Sequence, residues 1–365
     1  MIISFFSCLD EKVGFPFYSL SLAHALEKQG ATVNIVQAPK RKSMFRFFRL
    51  GNRMNMADAA LIQHEYSFFS DNRIPILFPF LSLLHFAVLL SRLTIPTVVT
   101  VHEVMSSHIT NPAKRFAARL FLRFFSSVLN RCHRIIVHTD RFRDILVRHG
   151  ADEHRVLFVP HPFPPPAQPS VRVNEAVHNF RQSQDLEHKT ILSIFGFVHA
   201  RKGYEIALAA IKNLDNCVLL IAGGPHENAK TYYDKLLTMI ADQGMQDKVR
   251  ILQYIDEKDM DTVMFSTDIF LIPYLEAPGS GSLCRMSVYH KPLVATDIPT
   301  VRELKERGFG AELCKPGDSH GLREAILNIL NNETRKNQLI HETDRFIEEH
   351  SYESYARFLL TILKA

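Results

Sequence analysis

Two short stretches of this 365-residue chain combine cations, glycines and a helix start in the way an anion site requires. In FGFVHARKGYEIALAAI a strand-like run gives way to a loop holding Arg201 and Lys202, and a helical pattern opens near Gly203. The free N–H groups of a helix N-terminus and its macrodipole favour negative charge, and adjacent cations add to that field. A basic loop capping an ordinary helix gives the same pattern. In PYLEAPGSGSLCRMSVYHKPLVATD the loop Gly279-Ser280-Gly281-Ser282 joins a strand to a helical stretch, with the Glu276 carboxylate just upstream. Small residues there let backbone amides approach phosphate oxygens, while serines in a simple turn also serve as N-caps. Gly223-Gly224 closes the strand CVLLIAGG, where a base or ribose can lie on bare backbone.

Other polar residues suggest different chemistry. His64-Glu65 and His102-Glu103 are pairs suited to acid/base or metal work. A zinc site needs three or four ligands at suitable spacing, and the chain has no HExxH and no cysteine cluster, so no metal is expected. His64 and Glu65, at a strand end, are either structural or part of an acceptor-binding loop. His133, His138 and His161 read as structural. The five separated cysteines imply free thiols in a reducing compartment.

The elements that must position these residues are legible as alternation. IISFFS, SLSLAHALEKQG and TVNIVQA form a βαβ-like unit, and DAALIQHE, PTVVTVHE and RIIVHTD continue the strands. TILSIFGF, CVLLIAGG, VRILQYI, DIFLIPY and KPLVATD form a second series. Apolar strands separated by helical patterns predict parallel α/β sheets. Between the two series lies VPHPFPPPAQPS, with Pro160, Pro162, Pro164, Pro165, Pro166 and Pro169. Such proline density excludes helix and ladder and gives a stiff connector. The length also calls for two domains.

The order of FGF…RKGYE, LLIAGG, VRILQYIDEKDM and DIFLIPYLEAPGSGSL…KPLVATD resembles the C-terminal half of family 4 glycosyltransferases. LIQHEYSFF, PTVVTVHEV, RIIVHTDRFRDIL and VLFVPHPF resemble that family's N-terminal strands and domain junction. The resemblance implies a GT-B fold: two Rossmann-like domains with parallel sheets facing a central cleft. It places an acceptor domain at 1–162, a linker at 163–170, a nucleotide-sugar domain at 171–344 and a returning helix at 345–365. It further implies retaining transfer of a hexosyl unit from a UDP- or GDP-sugar to a glycan or lipid-linked acceptor, without cofactor or metal.

Residue by residue, Lys202, with Arg201, would neutralise the diphosphate, and the amides of Gly281, Ser282 and Leu283 would bind the same phosphates. Glu276 would hydrogen-bond the donor sugar, His102 would approach that sugar from the first domain, and Gly14 would admit donor or acceptor. Loop backbone around Gly223–Asn228 and Tyr254–Asp256 would select the base. Two departures stand out. Cys284 occupies the position, eight after Glu276, where many members have a ribose-contacting glutamate. Phe197 follows the glycine where many have arginine. Both would suit a non-catalytic nucleotide-sugar-binding subunit. A GT-B epimerase or phosphorylase is the other alternative, though the carboxylate or cofactor-lysine patterns these need are not apparent.

Composition adds the partner. With 46% hydrophobic and 22% charged residues the chain is neither disordered nor fibrous. Residues 1–160 hold 20 Lys/Arg against 11 Asp/Glu, whereas the remainder is acidic. The excess gathers in PKRKSMFRFFRLGNR and KRFAARLFLRFFSSVLNR, where cations alternate with phenylalanine. Cations beside large apolars suit an interfacial helix on anionic lipid, so residues 40–53 and 114–131 are expected to meet a membrane surface. No nucleic-acid module is recognisable, and nucleic acid is not an expected partner. The expected location is the cytoplasmic face of the membrane. Ile74–Leu90 is at the lower limit for a span, and with Pro75, Pro79 and His85 it reads better as a buried or interfacial helix. MIISFFSCLDEK lacks a positive leading region and reads as a buried first strand.

Overall fold

The computed structural model describes residues 1–9, 15–70, 78–105, 112–225, 229–276 and 281–364. The chain divides into one unit of residues 1–161 with 351–365, and a second of 162–350.

The first unit runs β1 (Ile2–Ser7), α1 (Pro16–Lys28), β2 (Thr32–Gln37), α2 (Met44–Met54), β3 (Ala59–His64), α3 (Tyr66–Phe69), α4 (Phe78–Arg92), β4 (Thr97–Val101), α5 (Pro112–Leu129), β5 (Arg134–Val137), α6 (Asp140–Arg148) and β6 (Val156–Phe158). Its six strands are all parallel, in the order β2-β1-β3-β4-β5-β6. Both faces are covered, which is why the strands read as continuous apolar runs and not as alternating ones. On one face Phe6, Ile62 and Val99 pack against α2, α4 and α5 residues such as Phe47, Phe86 and Phe125. On the other, Ile3, Phe5, Leu61 and Val98 pack against α1 and the last helix of the chain.

The second unit runs α7 (Val171–Ser183), β7 (Thr190–Phe195), α8 (Tyr204–Ile211), β8 (Cys217–Ala222), α9 (Lys230–Asp242), β9 (Val249–Ile251), α10 (Glu257–Ser266), β10 (Ile269–Ile272), α11 (Gly281–Ser287), β11 (Leu293–Thr296), α12 (Pro299–Lys305), β12 (Glu312–Cys314), α13 (Ser319–Asn331) and α14 (Glu333–Glu349). Its parallel strands follow the order β12-β11-β10-β7-β8-β9. β7, the first in sequence, lies between β10 and β8, so the winding reverses beside it. In an open α/β sheet, ligands bind outside the strand carboxyl ends at such a switch point.

The proline-rich segment packs on the second unit: Phe163 donates its N–H to His350 O at 3.0 Å, and Ala167 to Val288 O at 2.8 Å. The helix expected over 345–365 is two helices. α14 ends at Glu349, and α15 (Tyr352–Lys364) belongs to the first unit, where Tyr352 meets Tyr18 and Lys28 pairs with Glu353 at 3.4 Å. Among the described residues no helix is long and apolar enough to cross a membrane.

Candidate functional site

Beyond β7 the chain turns at Gly196, whose φ of 93° lies in the left-handed region that favours glycine. A Cβ there would lie 2.7 Å from Lys202 Nζ and 2.6 Å from Ser282 Oγ. Three segments therefore converge on one bare backbone: the end of β7, the 3-10 turn Ala200–Lys202, and the start of α11. Gly223, at the end of β8, adds a fourth, because a Cβ on it would lie 2.4 Å from the Gly196 carbonyl oxygen. Gly203, with φ 68°, presses the lysine turn onto Pro273 beyond β10.

Lys202 is the charged centre of this cluster. It is 7% exposed, and its Nζ donates to Phe195 O at 2.7 Å and lies 5.5 Å from the centre of the Tyr274 ring. Burial, reinforced by the Arg201 charge, brings its pKa down to about 7. Arg201 is exposed, and its carbonyl accepts the Leu275 N–H at 2.8 Å, so the turn is bound to the segment that carries Glu276. Glu276 is exposed. Gly281 and Ser282 open α11, and Leu283 is buried behind them. Gly224 packs beside Tyr254, with its Cβ position 3.5 Å from the Tyr254 amide nitrogen, and the Tyr254 side chain is 74% exposed. Gly14, Gly279, Ser280 and Asn228 lie outside the described residues. The structure thus brings together Lys202, Ser282 and Gly223, with Gly196 as a member that sequence reasoning missed. Its signal was the single glycine directly after a strand.

In the first unit the carboxyl ends of β4, β5 and β6 bring three histidines together. The His102 ring lies 5.1 Å from that of His138 and 6.4 Å from that of His161, and His138 and His161 are 5.0 Å apart. Tyr18 of α1 sets its ring edge against all three. Gln63 Oε1 accepts from His102 Nε2, and His138 Nδ1 donates to Val159 O at 2.8 Å. Burial holds both imidazoles well below the ordinary histidine range, His138 at about 3, and their neighbouring histidines push the same way. Both are neutral at physiological pH. His138 and His161, expected to be structural, are part of the cluster that holds His102. Among the described residues no group of three His, Cys, Asp or Glu is placed to hold a metal ion.

The acceptor-loop role expected for His64 does not fit its position. It is completely buried, ringed by Tyr66, Phe69, Phe86 and Phe125. Desolvation lowers its pKa to about 3, so it is a neutral core residue. Glu65 beside it accepts from Ser67 Oγ at 2.8 Å, and burial raises its pKa.

Two doubly wound parallel sheets in one chain, the second with bare glycine backbone at its switch point, define the GT-B fold class. Solved structures agree. The chain superposes on Anabaena Alr3699/HepE, in complex with UDP, with a TM-score of 0.77 over 100% of both chains at 15% identity. A glycosyltransferase from Rickettsia africae ESF-5 gives 0.75 over 100% of this chain and 97% of that one, at 14% identity. Residues 14–165 match the family described as Glycosyltransferase Family 4, and residues 177–346 match Glycosyl transferases group 1. The chain belongs to the family 4 glycosyltransferases. Among named relatives, it is 25% identical over 261 residues to the alpha-D-kanosaminyltransferase of Streptomyces kanamyceticus. It is 23% identical over 158 residues to the phosphatidyl-myo-inositol mannosyltransferase of Mycobacterium leprae (strain TN). These matches span 66% and 42% of this chain, and 63% and 40% of the two relatives.

Proposed function

We propose that this chain transfers a hexosyl unit from a UDP- or GDP-sugar to a glycan or lipid-linked acceptor, with retention of configuration, at the cytoplasmic face of an anionic membrane. The observation that carries the reading is the desolvated Lys202 amine beside Gly196 and Ser282 at the switch point of the second sheet. A cation held in a water-poor site stabilises charge that develops nearby far better than one in bulk water. As the glycosidic bond breaks, that charge appears on the departing diphosphate. Arg201 and the amides at Gly281, Ser282 and Leu283 share it, so the reading assigns no step to a metal. Glu276 holds the sugar hydroxyls, Gly223, Gly224 and Tyr254 hold the nucleoside, and His102 supplies a neutral imidazole to the transfer. The HepE structures, in complex with UDP and with UDP and glucose, support a uridine nucleotide among the donors to be tried first.

The test is capture of a nucleotide sugar from a mixed panel by the purified protein, identified by mass spectrometry, followed by turnover with that donor. Lys202→Ala is expected to lower turnover by a factor of about 10². Near-normal turnover in that variant refutes the assignment. A second reading, a non-catalytic nucleotide-sugar-binding subunit, is favoured by Cys284. It is buried, its thiol pushed up to about 12, and it offers no carboxylate to a ribose. Binding without any donor hydrolysis would select that reading.

A further inference from the structure

The first unit carries a face that neither its sheet nor the proposed chemistry uses. α2, α4 and α5 cover one side of the sheet and touch in series. Gly51 of α2 sits so close to α4 that a Cβ would lie 2.6 Å from Arg92 Cβ. Phe80 of α4 meets Phe121 of α5 at 5.7 Å between ring centres. These three helices contain three, one and four cations respectively and no Asp or Glu.

Their outward surfaces are apolar as well as basic. On α5, Phe116, Leu120 and Phe124 stand four residues apart and are 70%, 41% and 55% exposed. One residue before each comes Arg115, Arg119 or Arg123, also exposed. At about 100° per residue these are adjacent stripes, opposite the face that buries Phe121, Leu122 and Phe125. α2 repeats the arrangement: Phe47, Gly51 and Met54 are buried, while Phe45 and Phe48 are 63% and 40% exposed. The Arg49 guanidinium lies 4.6 Å over the Phe45 ring and that of Arg92 4.4 Å over Phe48. Between them α4 exposes Phe80 and Leu84, one turn apart.

We propose that α2, α4 and α5 form one continuous docking face for an anionic bilayer, with α4 as an apolar ridge between two arginine–phenylalanine helices. An apolar protein partner would leave the cations buried and unpaired, and an acidic soluble partner would leave the phenylalanines in water. A layer with anionic headgroups above hydrocarbon satisfies both sets at once. The inference deepens the reading of a membrane-borne acceptor, and its test needs no substrate.

The experiment is flotation of the full chain with vesicles of phosphatidylcholine alone or with about a third phosphatidylglycerol, at low and high salt. Binding is expected only with the anionic lipid and to weaken with salt. Phe116→Ser with Phe124→Ser is expected to weaken it by about tenfold or more, and Phe80→Ser with Leu84→Ser by a similar factor. Phe116 and Phe124 are mostly exposed, so that pair should leave thermal melting unchanged; Phe80 also packs on Phe121, so the α4 pair should melt lower, and its binding is read well below that melting temperature. Equal binding to neutral vesicles, or no binding, overturns the proposal, as does a concentration-dependent dimer that the same substitutions abolish. If the α5 pair weakens binding and the α4 pair does not, the continuous face is refuted. Nucleotide-sugar binding, measured in parallel without lipid, reads the donor site separately, so either reading can fail alone.

Discussion

If the donor diphosphate binds against the Lys202 amine as proposed, donor affinity depends on pH in a direction and by an amount that the burial of Lys202 sets. Its folded pKa is about 7, against an ordinary lysine value of 10.5, because burial and then Arg201 penalise the charged form. The side chain is 7% exposed, so solvent screening does little to soften this. A bound diphosphate supplies the missing counter-charge and returns the ammonium to its ordinary range. Binding above pH 7 must therefore take up a proton, about 0.9 per site at pH 8 for a group with pKa 7. The apparent affinity should fall about tenfold between pH 6 and pH 8, close to 1.4 kcal/mol. A nucleotide sugar is the right probe, since its diphosphate is doubly esterified and does not titrate in that window. Titration calorimetry at pH 8 in two buffers of different ionisation enthalpy measures the uptake directly. Lys202→Met should bind more weakly and without the slope. Flat affinity with no proton uptake refutes the reasoning, and so does a slope that survives in the methionine variant.

Other sites give separate expectations. Gly223→Ala places a Cβ 2.4 Å from a backbone carbonyl that has no flexible end to move aside, so thermal unfolding should show a loss of about 1–3 kcal/mol, with donor binding weakened more than tenfold. His64, held neutral at about 3 in a fully buried aromatic pocket, contributes stability that is complete above the unfolded value near 6.5 and is lost as pH falls. At pH 5 that loss is about 2 kcal/mol, and urea titrations of wild type and His64→Phe at pH 5 and 8 should differ by it. Gln63→Glu puts a carboxylate against His102 Nε2 and should raise the His102 pKa by a unit or more, read from imidazole NMR shifts against pH; an unchanged titration would show that this contact does not govern the ring.

Much of the fold was legible because strands covered on both faces must be apolar throughout, and TILSIF and CVLLIA say so without help from their surroundings. β12 was not, since three residues, Glu312–Cys314, carry too little pattern to stand out. The break between α14 and α15 escaped for a related reason: helical periodicity continues across His350 and Ser351, and only the packing partners change. In the site, the cations and the glycine pairs could be picked out because their chemistry is visible in residue type. Gly196 showed only as a lone glycine after a strand, because its role comes from a left-handed backbone and from the Lys202 and Ser282 atoms packed beside it.

The three clustered histidines are legible only in combination. VTVH, IIVH and FVPH each put a histidine at or just beyond a strand's carboxyl end, a position where a parallel sheet aims side chains at a ligand edge. Taken singly, each is an ordinary strand-end residue. Taken with the sheet order, in which β4, β5 and β6 are consecutive neighbours, the three must converge. Burial first, and then the neighbouring rings, hold His102 and His138 well below the ordinary histidine range, so both are neutral. Any role His102 has in transfer is therefore that of a neutral imidazole whose Nε2 proton is directed to Gln63, which leaves Nδ1 as its free lone pair.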